Sequence, residues 1–358
     1  MDKKTSAIIR LAISLLAAAL LTSLLVMGIS GRSLFGIGSW NVNFGTKYAN
    51  ADKYSAGNAS IPADDLKDIY INWIDGEVNV LPCDGSNIEI EETADSSLSE
   101  KEKVHYYYDN GILYIQYEKS ETGFIFSFIN NHKKNKRLTL RIPQTLCGSL
   151  SNFELDTVSS QNNISGLSCS DMDIDNVSGE TILTDVEAAN ELDFDNVSGR
   201  IDLQGSFAKL NIDTVSGSCS VDTNVTPSSI KLDTVSGDCR LMLPYSAEFC
   251  AEIDGVSGNL NFNGFKVTKN DDEYICGNIK NEFDFDTVSG DVTISQKEQG
   301  ADDYSQSYDD SQDNNSTQNS GNSQNNGSLQ DDNGDSQGNG TQGSGNYGHG
   351  YDHHDEDH

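Results

Sequence analysis

Apolar and polar residues alternate with a period of two along much of the chain, and one short motif interrupts this alternation at regular intervals. The motif is Asp-Thr/Asn-Val-Ser-Gly, as in Asp195–Gly199, and its copies begin 19, 20, 18, 20, 21 and 32 residues apart. A repeat of about 20 residues is typical of a solenoid. With small variations, the motif begins at Asp156, Asp175, Asp195, Asp213, Asp233, Asp254 and Asp286.

The residues that flank each motif predict its conformation. Apolar residues lie one and three positions before the aspartate, as Leu192 and Phe194 do, and mostly two and four positions after the glycine, as Ile201 and Leu203 do. This pattern indicates strands with one buried face. Glycine suits the corner between two strands because it adopts positive φ easily. The predicted corner glycines are Gly179, Gly199, Gly217, Gly237, Gly258 and Gly290.

One strand–corner–strand unit cannot bury its apolar face alone, whereas parallel coils stacked about 4.8 Å apart can. The sequence therefore predicts an all-β fold, a single-stranded parallel β-solenoid (β-helix) with coils of about 20 residues, over residues 61–296. Ile69–Val80 fits a degenerate eighth copy, in which Asn72 replaces the aspartate. The long step between Asp254 and Asp286 predicts one inserted loop, at about Val267–Cys276.

The two ends of the chain differ from the repeat region. Residues 1–10 carry Lys3, Lys4 and Arg10, whereas residues 11–31 are uncharged and long enough to form one transmembrane helix. This charge pattern predicts a single-pass cell-membrane protein with a cytoplasmic N-terminus and an extracytoplasmic solenoid and tail. A cleaved signal peptide is the alternative, although its apolar region is usually shorter. Residues 32–60 are predicted to be a linker, and residues 297–358 a disordered, acidic, low-complexity tail.

Composition narrows the classes of function. The formal net charge of −33 argues against nucleic-acid binding, because phosphate recognition needs a basic surface. Seven cysteines form no disulfide framework. Cys219 and Cys239 occupy one position in successive coils, in a column with Ile201 and Leu260, and in-register parallel strands point both Cβ atoms the same way. We therefore predict that these two cysteines are buried free thiols.

These features together resemble a known bacterial family. The uncharged N-terminal run, the Ile142-Pro143 entry into the repeats and the iterated Asp-Thr-Val-Ser-Gly motif are similar to an adhesin-like domain of unknown function, which includes LiaG-like membrane-anchored proteins. The resemblance covers about Ile61 to Ser295. It implies a parallel β-helix in an extracytoplasmic module, sometimes associated with cell-envelope stress regulators, and it brings no catalytic motif.

The repeated aspartates have two explanations. Stacked at one edge, neighbouring carboxylates would repel each other, so some interaction must offset the charge. In the structural explanation, each carboxylate accepts backbone N–H groups of its own corner, as in an Asx-turn. In the alternative, the column collects divalent cations, most readily calcium, with Asp195, Asp213 and Asp233 as candidate ligands. No other cofactor is predicted.

Two further clusters have chemistry of interest. The basic run Lys133–Arg137 follows the aromatic segment Phe124–Ile129 and is either a surface for anionic headgroups or wall polymers, or a solvated hairpin. The C-terminal histidines are either ligands for zinc or nickel or simply part of a low-complexity end. They are His349, His353, His354 and His358.

The sequence favours binding over catalysis. Polysaccharide-cleaving β-helix enzymes need a unique cluster of carboxylates with a Lys or Arg, but here the cations Arg200, Lys209, Lys231 and Arg240 are scattered over repeating positions. We therefore predict no catalytic residue and a binding or structural, adhesin-like module at the bacterial cell envelope. Its expected partners are the membrane and an envelope glycan, wall polymer or protein. An accessory or sensory component of an envelope-stress system is the alternative, and a carbohydrate-active β-helix enzyme is the second alternative.

Overall fold

The computed structural model describes residues 52–62, 65–119, 134–277 and 280–298. Within these ranges the chain is almost entirely β, and its strands belong to one eighteen-stranded sheet. One turn of helix, α1, spans Gln144–Cys147. The strands are β1 (Ser55–Ala56), β2 (Ala59–Pro62), β3 (Asp68–Cys83), β4 (Asn87–Thr93), β5 (His105–Asp109), β6 (Ile112–Gln116), β7 (Arg137–Pro143), β8 (Leu150–Ser165), β9 (Ser168–Phe207), β10 (Lys209–Thr223), β11 (Ser229–Ser236), β12 (Cys239–Leu243), β13 (Phe249–Gly255), β14 (Leu260–Asn263), β15 (Thr268–Asn270), β16 (Glu273–Cys276), β17 (Glu282–Ser289) and β18 (Val292–Gln296).

Parallel pairing brings the repeats into register, as the constant spacing of the motif predicts. Asp156 in β8 pairs with Asp175 in β9, Asp195 in β9 pairs with Asp213 in β10, and Asp213 pairs with Asp233 in β11. The 40-residue strand β9 carries two copies of the motif, and their corner glycines, Gly179 and Gly199, both have positive φ. The central part of the molecule is therefore a solenoid-like stack of parallel coils.

The predicted inward columns form the core. Side chains from successive coils pack on one another there because in-register strands keep equivalent residues on the same face. Cys219 and Cys239 lie in this core as buried free thiols, as predicted. The fully buried residues before the aspartates are Phe153, Leu155, Met172, Ile174, Leu192, Phe194, Leu210, Ile212, Ile230, Leu232, Phe283 and Phe285.

A column of polar side chains also lies inside the stack, which the alternation did not reveal. The residue that follows each repeated aspartate points inward, and it is threonine or asparagine. Thr157 Oγ1 donates to Asn176 Oδ1 at 3.0 Å, and Asn196 Nδ2 donates to Thr214 Oγ1 at 3.3 Å. Such hydrogen bonds between coils reduce the cost of burying polar groups. The column consists of Thr157, Asn176, Asn196, Thr214, Thr234 and Thr287.

The corner residues are selected by contacts between coils. Gly199 has φ +142°, and a Cβ placed there would lie 1.9 Å from the carbonyl oxygen of Gly179 in the preceding coil. The corner serine supplies a hydrogen bond, since Ser178 Oγ donates to the carbonyl of Val158 at 3.1 Å. Ser198 makes the equivalent bond to Val177. Glycine therefore serves both the predicted φ and a close approach of two backbones.

The N-terminal end of the stack does not follow chain order. β3 pairs in parallel with β8 on one side, which confirms its place as a repeat copy, and with β6 and then β7 on the other. Beyond these, β4 and β5 pair antiparallel with β7 and β6, and β2 and β1 follow. The first strand begins at Ser55, within the stretch predicted to be a linker. The antiparallel strands β4 and β5 thus cover the open edge of the coil formed by β6 and β7.

The C-terminal end departs from chain order in the same way. β11 and β12 pair with β17 and β18, and β13 and β14 lie on the far side of that last coil. Asp233 therefore neighbours Asp286, with Asp254 beyond it, and Val292 rather than Leu260 adjoins Cys239. The predicted loop insertion is a hairpin of β15 and β16, in which β16 pairs antiparallel with β13.

Several sequence predictions lie outside the described residues. These are the transmembrane helix at residues 11–31, the tail beyond Glu298 and its four histidines, and the aromatic segment Phe124–Ile129. In the part of the chain that the structure describes, no helix has the length and apolar character needed to span a membrane.

Candidate binding face

Two rows of carboxylates lie side by side on the outer face of the coils. The repeat row contains the repeated aspartates, in the spatial order Asp156, Asp175, Asp195, Asp213, Asp233, Asp286 and Asp254. The flanking row lies two residues earlier in each coil and therefore on the same face. In the same order it contains Glu154, Asp173, Asp193, Asn211, Lys231, Asp284 and Glu252.

Burial, and then the crowding of like charges, makes these carboxyl groups hard to ionise. Burial, followed by the charges of neighbouring carboxylates, raises the pKa of Asp175 to about 8 and that of Asp195 to about 7. The same causes raise the pKa of Asp213 and of Asp173 to about 6. Neighbouring coils are about 4.8 Å apart, where unit charges repel by roughly 3.5 kcal/mol at an effective dielectric of 20. Asp175 and Asp195 therefore retain protons near neutral pH.

The Asx-turn explanation is not what the structure shows at the centre of the repeat row. The carboxylates of Asp175, Asp195 and Asp213 accept no hydrogen bond from the backbone of their corners, and burial dominates their pKa values. Corner serines and glycines supply the local contacts instead. Asp213 has a side-chain hydrogen bond to Asp233, which adds to the effect of burial on its pKa.

One coil has its own positive partner. Lys231 occupies the flanking row, and its Nζ lies 2.9 Å from Oδ2 of Asp233 in the repeat row. The hydrogen bond to Asp233 raises the pKa of Lys231, with smaller effects from Asp213 and Asp284. An ammonium group that starts in the flanking row thus pairs with a carboxylate of the repeat row.

Tyrosines continue the flanking row toward the N-terminal end. Tyr70 pairs with Glu154 on one side and with Tyr114 on the other, and Tyr114 pairs with Tyr107. The ring centroids are 5.1 Å apart for Tyr70 and Tyr114, and 6.3 Å apart for Tyr107 and Tyr114, with nearly parallel planes. Sequence reasoning missed this stack because its members come from three strands whose pairing is not in chain order.

The basic run is not a free cationic surface. Lys134 forms an ion pair with Glu102, and Arg137 forms one with Glu77 at 2.5 Å. Lys136 is 1% exposed, and its Nζ lies 2.6 Å from Glu92 Oε1. Carboxylates of the same chain therefore pair with the three cations of this run that the structure describes, and contact with headgroups or wall polymers stays a prediction.

Lys136 belongs to a buried polar cluster between β3 and the coil of β6 and β7. Its ammonium lies 4.0 Å from the ring centroid of Tyr117 and 5.1 Å from that of Trp73. Tyr117 donates to Asp75 Oδ1 at 2.5 Å. Burial lowers the pKa of Lys136, although Glu92 opposes the shift. In this degenerate copy, Asp75 takes the place of the corner serine. This substitution is the feature of the sequence that could have indicated an unusual corner.

The rows are not a preformed metal cage. Over the described ranges, no group of three or more His, Cys, Asp or Glu side chains is arranged to hold a metal ion, and this includes the calcium candidates Asp195, Asp213 and Asp233. Stacking gives each carboxylate one neighbour above and one below instead of converging ligands. Calcium ordinarily takes six to eight oxygen ligands.

One family profile matches most of the chain. The sequence profile of the family Toastrack DUF4097 matches residues 66–295. A candidate cell adhesion protein of Clostridium sporogenes is similar in structure, with 14% identity and a TM-score of 0.31 over 68% of this chain and 100% of that one. A candidate adhesin of Bacteroides fragilis has 11% identity and a TM-score of 0.39 over 68% of this chain and 97% of that one. No functionally curated protein matches the chain.

Proposed function

Because the chain belongs to the Toastrack DUF4097 family, which confirms the expected resemblance to adhesin-like domains, we propose that it is a non-catalytic binding module of the bacterial cell envelope. Residues 11–31 anchor it in the membrane, and the stack of coils presents its outer face outside the membrane. This topology rests on the uncharged run and the positive residues before it.

The observation that carries the proposal is the pair of carboxylate rows. They repeat the same chemistry from coil to coil, as in Asp173 with Asp175 and Asp193 with Asp195. A catalytic site needs a unique arrangement of acid, base and substrate contacts, whereas a periodic surface suits an extended partner that makes the same contact many times. Many weak contacts can then act together through their high effective concentration.

A pull-down from fractionated cell envelopes tests this function. The full-length chain is compared with a row variant, in which Asp173, Asp175, Asp193 and Asp195 are all changed to Asn. A control variant carries the same number of Asp→Asn changes at exposed positions away from the rows, namely Asp52, Asp84, Asp185 and Asp271. Both variants have the same formal net charge.

We expect the wild-type chain and the control variant to retain an envelope component that the row variant loses. Equal retention by all three proteins would mean that the rows do not bind. Breakdown of an envelope polysaccharide by the wild-type chain would show that the protein is an enzyme and would contradict the proposed binding function.

A further inference from the structure

Lys231 shows which chemical group the carboxylate rows accommodate. Its side chain starts in the flanking row and reaches across to Asp233 in the repeat row, with Asp213 and Asp284 in the adjacent coils. A primary ammonium is a compact charge with three hydrogen-bond donors, so it can serve carboxylates of both rows at once. The coil that contains Lys231 thus carries its own counterion.

The preceding coils have the same carboxylates without such a lysine. The positions equivalent to Lys231 are Asn211, Asp193, Asp173 and Glu154, and none of them is a cation. The nearby Arg200 does not serve the rows, because it contacts Asp202 at 2.5 Å and lies near Glu180. Within the described residues, this stretch of the rows contains carboxyl groups and no cation of its own. Burial raises the pKa of Asp193 and Asp213, and the charge of Lys231 opposes that shift in both.

Asp156 is a buried carboxyl group of the repeat row. It is 3% exposed and lies on the same face of the strand as Glu154, at the N-terminal end of the repeat row. In the described structure its carboxyl group has no hydrogen bond or ion pair, and the ionisable groups that act on it are Asp175, Glu154 and Asp173, all acidic. A buried carboxyl group without a hydrogen-bond partner is costly, and the described residues supply no donor to it.

The geometry points to a site for primary amines along the stretch from Glu154 to Asp213. In each coil, an ammonium group of an extended polyamine or amine-bearing polymer would lie beside the repeat-row carboxylate, as the Nζ of Lys231 lies beside Asp233. This inference deepens the proposed function, on which it rests, by naming the chemistry of the partner. The ligand would run along the stack, because the two rows run along it. One ammonium per one or two coils would reduce the repulsion between neighbouring carboxylates.

Amines fit this arrangement better than a divalent metal does. The rows offer no converging group of three ligands, whereas an ammonium needs only a few carboxylate oxygens within hydrogen-bond distance. Repetition favours a linear polycation, since each additional ammonium binds at high effective concentration.

Titration calorimetry with spermine at physiological salt tests the site. The full-length chain, the row variant and the control variant are compared, and calcium chloride is titrated in parallel. We expect saturable spermine binding to the wild-type chain, with affinity at least tenfold lower in the row variant and unchanged in the control variant. Spermine should also raise the melting temperature of the wild-type chain more than sodium chloride does at equal ionic strength.

Three results would overturn the inference: no spermine binding, equal binding by the two variants, or tighter binding of calcium than of spermine at the same rows. Asp175→Asn alone provides a second test if the row variant fails to fold, and it should weaken spermine binding by a smaller factor. The envelope pull-down remains independent, because a non-amine partner retained through the rows would support the proposed function while this inference failed.

Discussion

At the scale of single residues, contacts between neighbouring coils explain the repeated motif better than the conformation of a single turn does. The glycine admits the carbonyl group of the neighbouring coil, and the serine donates to that coil's backbone. The residue before the corner valine places a polar side chain in the interior. Each position is therefore fixed by an adjacent coil, which explains why the motif repeats with the coil.

A single methyl group at a corner should separate two coils. We expect Gly199→Ala to lower the free energy of unfolding by at least about 2 kcal/mol, because the residue has positive φ and its Cβ would meet the carbonyl oxygen of Gly179. Urea denaturation measures the effect. Gly148→Ala is the matched control, since a Cβ there meets nothing within 4 Å, and it should change stability by no more than about 0.5 kcal/mol. Equal effects of the two changes would refute this explanation of the corner.

The sequence revealed the inward apolar columns and the corner glycines, but not the buried polar column. Alternation identifies which face a residue occupies, and the apolar residues before each aspartate identify the inner face. Thr157 and Asn176 continue that alternation inward, yet polar residues are usually exposed. Only the pairing of coils shows that each has a partner at the same height.

At the scale of elements, the repeat predicts that coils stack but does not fix their order. Parallel copies have similar edges, so equivalent strands can pair in more than one order. After β11 and β12, the chain first forms the outer strands β13 and β14. The inserted hairpin of β15 and β16 then lets it return, so that β17 lies between β11 and β13. The spacing of 32 residues signalled the extra length but not this return. The tyrosine stack was missed for the same reason.

The buried ion pair between β4 and the start of β7 should be sensitive to loss of one partner. Lys136→Met leaves the carboxylate of Glu92 buried without its cation, and this should cost about 3–5 kcal/mol. Urea denaturation of the variant measures the loss.

Lys134→Met is the control, because its ion pair with Glu102 is more exposed, and exposed pairs contribute about 0–1 kcal/mol. The double variant Lys136→Met with Glu92→Gln should recover part of the lost stability, since it removes the buried charge. A double variant less stable than Lys136→Met would contradict the role assigned to the pair.

At the scale of the whole molecule, the last coil joins the end of the stack to its centre. β17 and β18 pair with β11 and β12 on one side and with β13 and β14 on the other. Lys297, directly after β18, forms an ion pair with Asp222 in β10. The C-terminal coil is therefore an interior part of the sheet even though it is last in the chain.

Truncation at two positions should separate this coil from the acidic tail. A chain that ends at Glu298 should keep the melting temperature of the full chain, because residues beyond it contribute almost no apolar surface. A chain that ends at Asn281 lacks β17 and β18 and should lose cooperative thermal unfolding, measured by circular dichroism. A cooperative melt of the shorter chain at the temperature of the full chain would show that the coil of β17 and β18 is dispensable.

The carboxylate rows should also control how stability depends on pH. The folded state raises the pKa values of Asp173, Asp175, Asp195 and Asp213 above the usual value of about 4. Between about pH 4 and pH 8 the folded chain therefore binds more protons than the unfolded chain, so stability falls as pH rises. Burial lowers the pKa of His105, so this group by itself makes stability rise with pH. Its effect is smaller than that of the several aspartates, because it is a single group.

The most direct measurement is the melting temperature of the full-length chain at constant ionic strength from pH 5 to pH 8, without polyamine. Uncompensated carboxylate rows predict that the melting temperature falls across this range, and that the fall is much smaller in the row variant but unchanged in the control variant. A melting temperature that stays level or rises toward pH 8 in the wild-type chain would show that the rows are already neutralised within the protein, and would contradict their role as a binding face.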